Sequence, residues 1–285
     1  MRAARRPFVA GSFYPARAED LAASVDGLLV AATSADAGSS PPAALIVPHA
    51  GYRCSGPVAA TAYRQLTGCH GVRTVAILGP GHFRDPHGMA VPECGAWRSP
   101  LGEVRIDQNR CAELVDLGLV HRDDHPHAGE HSIEVQLPFL QRVLGDGWSC
   151  LPVVMRSTPA DTVADCIDAL TGDGVLVVAS SDLSHYRDQR TALLRDRRTA
   201  RAIVEMDVAA IRDGDACGAV VVRGLLAWAR RHHIRVELLD LRTSADTCGP
   251  PARVVGYGAF AARRVGEPPA AAYENRNHVP NADPR

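Results

Sequence analysis

The sequence predicts an α/β fold, a single three-layer domain with a central, mostly parallel sheet and helices on both faces. Three observations predict it. Apolar runs such as Ala43 to Val47 and Gly174 to Ala179 lack the period-two alternation of half-exposed strands, so both of their faces are covered. Segments with apolar residues at helical spacing separate these runs. With 285 residues, 46% of them hydrophobic, the chain can bury one large core.

Arg5 to Pro15, RRPFVAGSFYP, reads as an ordered arm. Leu21, Val25, Leu28 and Leu29 recur at helical spacing over Ala18 to Ala32, with Glu19 and Asp20 in the first turn to suit the dipole. Thr33 to Pro42 is a polar linker leading into the strand Ala43 to Val47. A helix follows over Val58 to Leu66, with Pro57 opening it. Arg73 to Leu78 is a second strand, and His82 to Leu101 is a long Gly- and Pro-rich loop. Val104 and Ile106 form a short edge strand before a helix over Gln108 to Leu117, and an amphipathic helix opens at His131. Strands at Ser149 to Met155 and Gly174 to Ala179 flank a helix over Pro159 to Leu170. Helices over Gln189 to Met206 and Ala216 to Arg231, then strands Ile234 to Leu241 and Arg253 to Ala262, complete residues 1–265. Residues 266–285 are Pro-, Ala- and Asn-rich and read as a disordered tail.

Composition excludes several classes. All 31 basic residues are arginine, so a Walker A lysine, a pyridoxal Schiff base and other lysine imines are ruled out. A net charge of −1 offers no electrostatic case for nucleic acid or an anionic membrane. No apolar run approaches the ~20 residues that span a bilayer. The eight cysteines contain no C-x-x-C pair and no secretory segment precedes them, so a reduced, cytoplasmic protein is expected.

The chemistry is expected where strands end. His49, His82, Asp182 with His185, and Cys248 each follow a strand, and in a parallel sheet such ends line one cleft. Two imidazoles and a thiolate suit a divalent metal and leave positions open for water or substrate. Asp182 and His185 would stand beside them as a general acid/base pair. His125, His127 and His131 with Glu130 and Glu134 offer a second metal set, although a solvated loop entering a helix explains them more simply.

PHAGY at 48–52, GPGH at 79–82, RID at 105–107, EHSIEVQLPFL at 130–140, SSDLSHY at 180–186 and the Cys248 segment, in that order, resemble the Memo family. Its bacterial and archaeal members are called AmmeMemoRadiSam system protein B. The resemblance implies a fold like that of class III extradiol dioxygenases, which use non-haem Fe(II). It places a metal, Fe(II) first, on His49, His82 and Cys248 and an acid/base role on His185 with Asp182; the sulfur donor makes Cu or Zn the alternatives. The resemblance also puts His131 and Glu134 near the cleft. Tyr52 and Arg53, close to His49 in sequence, are expected to meet a small-molecule substrate there. Radical SAM and AMMECR-type proteins are the implied partners; oligomeric state is left open.

Three departures stand out. Gly81 occupies a position that is usually polar in the family, Phe83 replaces a usual Thr or His, and CGAVVV from Cys217 is unusually apolar. The leading expectation is an oxidoreductase of the dioxygenase type. Alternatives are an adaptor that binds a peptide in the same cleft, and a metal-free hydrolase with Cys248 as nucleophile and His185 as base.

Overall fold

The computed structural model describes residues 3–32 and 41–264. Most of the polar linker and the tail expected to be disordered lie outside these residues. After the arm, helix α1 (Ala18–Ala31) leads to β1 (Ala44–Val47), α2 (Tyr52–Tyr63) and β2 (Thr74–Pro80). Short strands β3 (Gly88–Val91), β4 (Ala96–Ser99) and β5 (Gly102–Arg105) precede α3 (Gln108–Asp116), β6 (His121–Arg122) and α4 (Leu137–Leu144). Next come β7 (Ser149–Arg156), α5 (Ala160–Leu170), β8 (Val175–Ser180), β9 (His185–Arg187), α6 (Gln189–Val204) and α7 (Ala219–Arg231). Strand β10 (Ile234–Thr243), one turn of α8 (Ser244–Thr247) and β11 (Val254–Arg264) complete it.

The main sheet runs β10-β11-β1-β8-β2-β7-β3-β6, with β9 added along β11. The central four strands, β1, β8, β2 and β7, are parallel. Antiparallel pairing of β11 with β1 and of β3 with β7 makes the whole sheet mixed. The continuous apolar runs are those central strands: every residue of β1 and β2 is buried. Helices α5 and α7 pack together over β2, β7 and β8, while α1, α2 and α4 cover the sheet around β1 and β11, giving the three layers.

Two local expectations are corrected. Helix α2 starts at Tyr52, so Pro57 lies inside it. The Gly51 carbonyl accepts from the Cys54 and Ser55 amides, closing a first turn that the PHAGY segment conceals. The expected loop from His82 contains β3 and β4, and β5 pairs with β4 as a hairpin separate from the main sheet. Gly and Pro in that stretch punctuate short strands.

The arm is ordered, and one carboxylate holds it. Glu134, fully buried, accepts from the Phe8 and Val9 amides at 2.9 Å, from the Tyr14 hydroxyl at 2.7 Å and from Arg5 Nη1 at 2.6 Å. Arg5 also donates to the His127 and Glu130 carbonyls and stacks over Trp97.

Candidate metal centre

Parallel β1, β8 and β2 lie side by side, so the loops beyond their carboxyl ends deliver His49, Asp182 and His82 to one rim, as the sequence predicts. The His49 and His82 rings stand 5.2 Å apart between centroids. The thiol that joins them belongs to Cys217, whose Sγ is 3.1 Å from His49 Nε2. Donor atoms of His49, His82 and Cys217 all lie within 4.8 Å of one another.

The expectation for Cys248 is therefore corrected. Its strand, β10, is four positions from β2 in the sheet, about 19 Å at the usual ~4.8 Å spacing. Its sulfur is instead bonded to Cys54 of α2, which also corrects the expectation that all eight cysteines are reduced; the other six are free thiols. Cys217 follows no strand; it precedes a helix, α7. A signal was present in the Cys-Gly pair ahead of an apolar helical run. A Cβ on Gly218 would stand 2.6 Å from the Ser180 carbonyl oxygen and 2.7 Å from Ser181 Cβ, so only glycine lets this loop approach the end of β8.

Hydrogen bonds fix which imidazole nitrogen faces the thiol. Ser180 Oγ gives its one proton to the Ser132 carbonyl at 2.6 Å and accepts from Gln136 Nε2 at 2.9 Å. His49 Nδ1, 2.8 Å from the same oxygen, must then donate, leaving the Nε2 lone pair toward Cys217. His82 Nδ1 lies 2.9 Å from Glu130 Oε1, a carboxylate that accepts, so Nδ1 is the donor and Nε2 is the nitrogen turned away from it. Glu130 also accepts from the backbone amides of His82, His131 and Ser132. Burial opposes its charge, but the hydrogen bonds and charge of His82 and these amides outweigh it and hold the carboxyl at about 2.

Burial, helped by His82 and His131, holds the His49 imidazole well below its ordinary value. Burial and then the nearby Asp182 push the Cys217 thiol well above its own. The pair meets as neutral imidazole and thiol. Asp182 accepts from the His49 amide at 2.7 Å, and burial raises its carboxyl to about 6 against that bond.

Asp182 and His185, the expected acid/base pair, each hydrogen-bond a different backbone group, although the charge of His185 still acts on the Asp182 carboxyl. His185 Nδ1 is 2.8 Å from the Leu183 carbonyl and so donates to it, while Asp182 serves the His49 backbone. His185 nevertheless lines a cavity of about 210 Å³ together with Cys217. His131 is at the rim, stacked on His82 at 4.8 Å. Three expected substrate contacts are elsewhere. Glu134 is saturated by the arm, Tyr52 is a core residue donating to the Val135 carbonyl at 2.6 Å, and Arg53 lines a separate cavity beside Phe13 and Leu28. Of the second metal set, only Glu130 and His131 approach one another, and they share His82. His125 lies against Arg84, and His127 is buried beside Trp97.

Two departures acquire reasons. A Cβ on Gly81 would meet the Arg84 carbonyl at 2.9 Å, so the tight loop carrying His82 excludes a side chain. Phe83 is 64% exposed with its ring 5.9 Å from that of His131, forming an apolar lip.

A three-layer α/β sheet whose rim gathers two imidazoles and a thiol defines a protein with a candidate metal centre. The chain belongs to the family of Memo-like proteins, whose sequence model matches residues 5–261. A MEMO1 family protein of Methanopyrus kandleri is 35% identical over 280 residues, covering 91% of this chain and 99% of its own. One from Sulfolobus acidocaldarius is 38% identical, covering 74% and 79%, and one from Metallosphaera sedula 36%, covering 89% and 97%. No helix among the described residues is long and apolar enough to cross a membrane.

Proposed function

We propose that this chain binds a divalent metal through His49 Nε2, His82 Nε2 and Cys217 Sγ and acts as an oxidoreductase on a small molecule. The observation that carries the ligand set is the orientation of the rings: each Nδ1 is spent on an oxygen partner, so both Nε2 atoms are left for an ion beside the one thiol. The donor set fits such an ion. Nitrogen and sulfur donors suit Fe(II), Cu and Zn, of which Fe(II) is the proposed occupant. When bound, the metal would supply Lewis acidity and, if it is iron or copper, one-electron chemistry.

The chain's own groups have the remaining tasks. Glu130 and Ser180 hold the two rings in orientation. His185, its Nδ1–H anchored on the Leu183 carbonyl, presents Nε2 as a base able to take a substrate proton. Phe83 and His131 narrow the mouth of the site.

The test is metal analysis of anaerobically purified protein beside His49→Ala, His82→Ala, Cys217→Ala and Cys248→Ser. The first three should lose at least nine-tenths of the metal, and the fourth should keep it. Equal metal in all five samples would overturn the ligand set. An oxygen-uptake screen with catechols then tests the dioxygenase reaction. The 3.1 Å contact between Cys217 and His49 supports one competing reading, a thiol nucleophile with an imidazole base and no metal. Activity that survives chelation but not alkylation of Cys217 would favour it.

A further inference from the structure

The cavity that adjoins Cys217 and His185 is also lined by Arg187 and Arg195. Arg195, from α6, donates through Nη2 to the Gly214 carbonyl and to Asp215. Its Nε is buried and has no hydrogen-bond partner among the described residues. The rest of the side chain is about one-third exposed, and its planar fork suits an oxyanion in the cavity. Arg187 is exposed and forms no ion pair among the described residues. The acidic group in this cavity, Asp213, is engaged by Arg223 at 2.7 Å.

Arg195 and Gly214 also line a neighbouring cavity of about 420 Å³, with Arg198, Arg212 and Asp215. Asp215 is 2% exposed and is shared by Arg195 and Arg198. Three guanidiniums thus face one carboxylate, on a chain whose formal charge is −1. The positive excess is a local feature, continuous through Arg195 with the cavity beside the thiol.

From these observations we infer that the substrate is a small oxyanion, carrying a carboxylate or phosphate that seats on Arg195 and Arg187 while its other end reaches the rim at Cys217. This deepens the proposed function and rests on it for the identity of the reacting end. The anion seat itself stands on the cavity and on the two guanidiniums that line it. Arg53 and Arg84, the arginines nearest the ligands in sequence, are not part of it.

The test is equilibrium binding of inorganic phosphate, benzoate and the uncharged benzamide to the full chain, as purified and after chelation. Metal content is measured in parallel. Benzoate or phosphate should bind at least tenfold more tightly than benzamide, with or without metal. Arg195→Gln should weaken that binding at least tenfold, Arg195→Lys by less, and Arg53→Gln not at all. Arg187→Gln, an exposed change that spares the Asp215 ion pairs, should weaken it several-fold and keeps the test open if Arg195→Gln fails to fold. Benzamide binding as well as benzoate, or wild-type anion binding in folded Arg195→Gln or Arg187→Gln, would overturn the inference. Anion selectivity in wild-type protein that carries no metal when purified anaerobically, before any chelation, would overturn the metal assignment instead. Preference for phosphate over benzoate would identify the substrate as a phosphate ester, and the reverse as a carboxylic acid.

Discussion

Glu130 and Glu134 lie four residues apart in one segment, both almost wholly buried, and they serve different ends of the molecule. Glu130 spends its oxygens on the His82 ring, the His82 amide and the two amides that follow it. Glu134 spends its own on the arm: Arg5, two backbone amides and Tyr14. The difference teaches that a buried carboxylate close to a site in sequence has no fixed role. Its partners decide whether it orients a ligand or anchors the chain.

The comparison breaks most visibly at Glu134. Glu134→Ala would leave the Arg5 charge without its ion-pair partner and the Phe8, Val9 and Tyr14 donors without their carboxylate acceptor, and losing one member of a buried ion pair costs about 3–5 kcal/mol. Urea unfolding should show a loss of this size, while folded molecules of the variant keep their metal. A loss below 1 kcal/mol would mean that the arm is held by its packing alone.

The disulfide comes next, as a second device for the fold alone. It joins cysteines 194 residues apart, and such cross-links typically contribute about 2–4 kcal/mol. The double variant Cys54→Ser, Cys248→Ser should lose stability in that range and retain metal. If it loses metal in step with Cys217→Ala, Cys217 alone does not supply the sulfur ligand.

Glu130 should show the opposite profile. Glu130→Gln replaces the carboxylate that fixes the His82 tautomer, and changes of this type lower metal affinity about 10–100-fold. Competition with a chromophoric chelator would measure the shift. Stability should fall less than in Glu134→Ala, and the reverse order in the two assays would dissolve the distinction between the glutamates.

Much of this division was legible in the sequence, for reasons that can be named. The central strands announce themselves because burial on both faces requires unbroken apolar runs, and His49, His82 and Asp182 follow from where those runs stop. Cys217 was obscured because a ligand ahead of a helix carries no strand in front of it, and its neighbour Gly218 was the available clue. Cys248 misled because strand order is absent from the sequence. β10 ends at the same rim, but at the far edge of the sheet. Glu134 misled for a related reason, since its partners are 120 to 129 residues away in the arm.

The smallest effect concerns His127, on the arm side of the comparison. Its ring is buried against Trp97 at 5.5 Å, and neither nitrogen makes a regular hydrogen bond among the described residues. Burial, reinforced by Arg5, lowers its pKa from 6.5 to about 3 against the weaker pull of Asp124 and the Ala90 backbone. The unfolded chain takes up this proton below about pH 6.5 and the folded protein only below about 3, so stability drains away as the pH falls through that window. One pH unit below the unfolded value, at about pH 5.5, the loss is about 1 kcal/mol. His127→Phe removes the titrating group and keeps an aromatic ring beside Trp97. Urea titrations at about pH 7.5 and 5.5 should therefore show wild type losing about 1 kcal/mol more than the variant between the two conditions. Parallel losses would mean that the His127 ring can take up its proton inside the fold, and that Arg5 and Trp97 seal the arm less tightly than its hydrogen bonds imply.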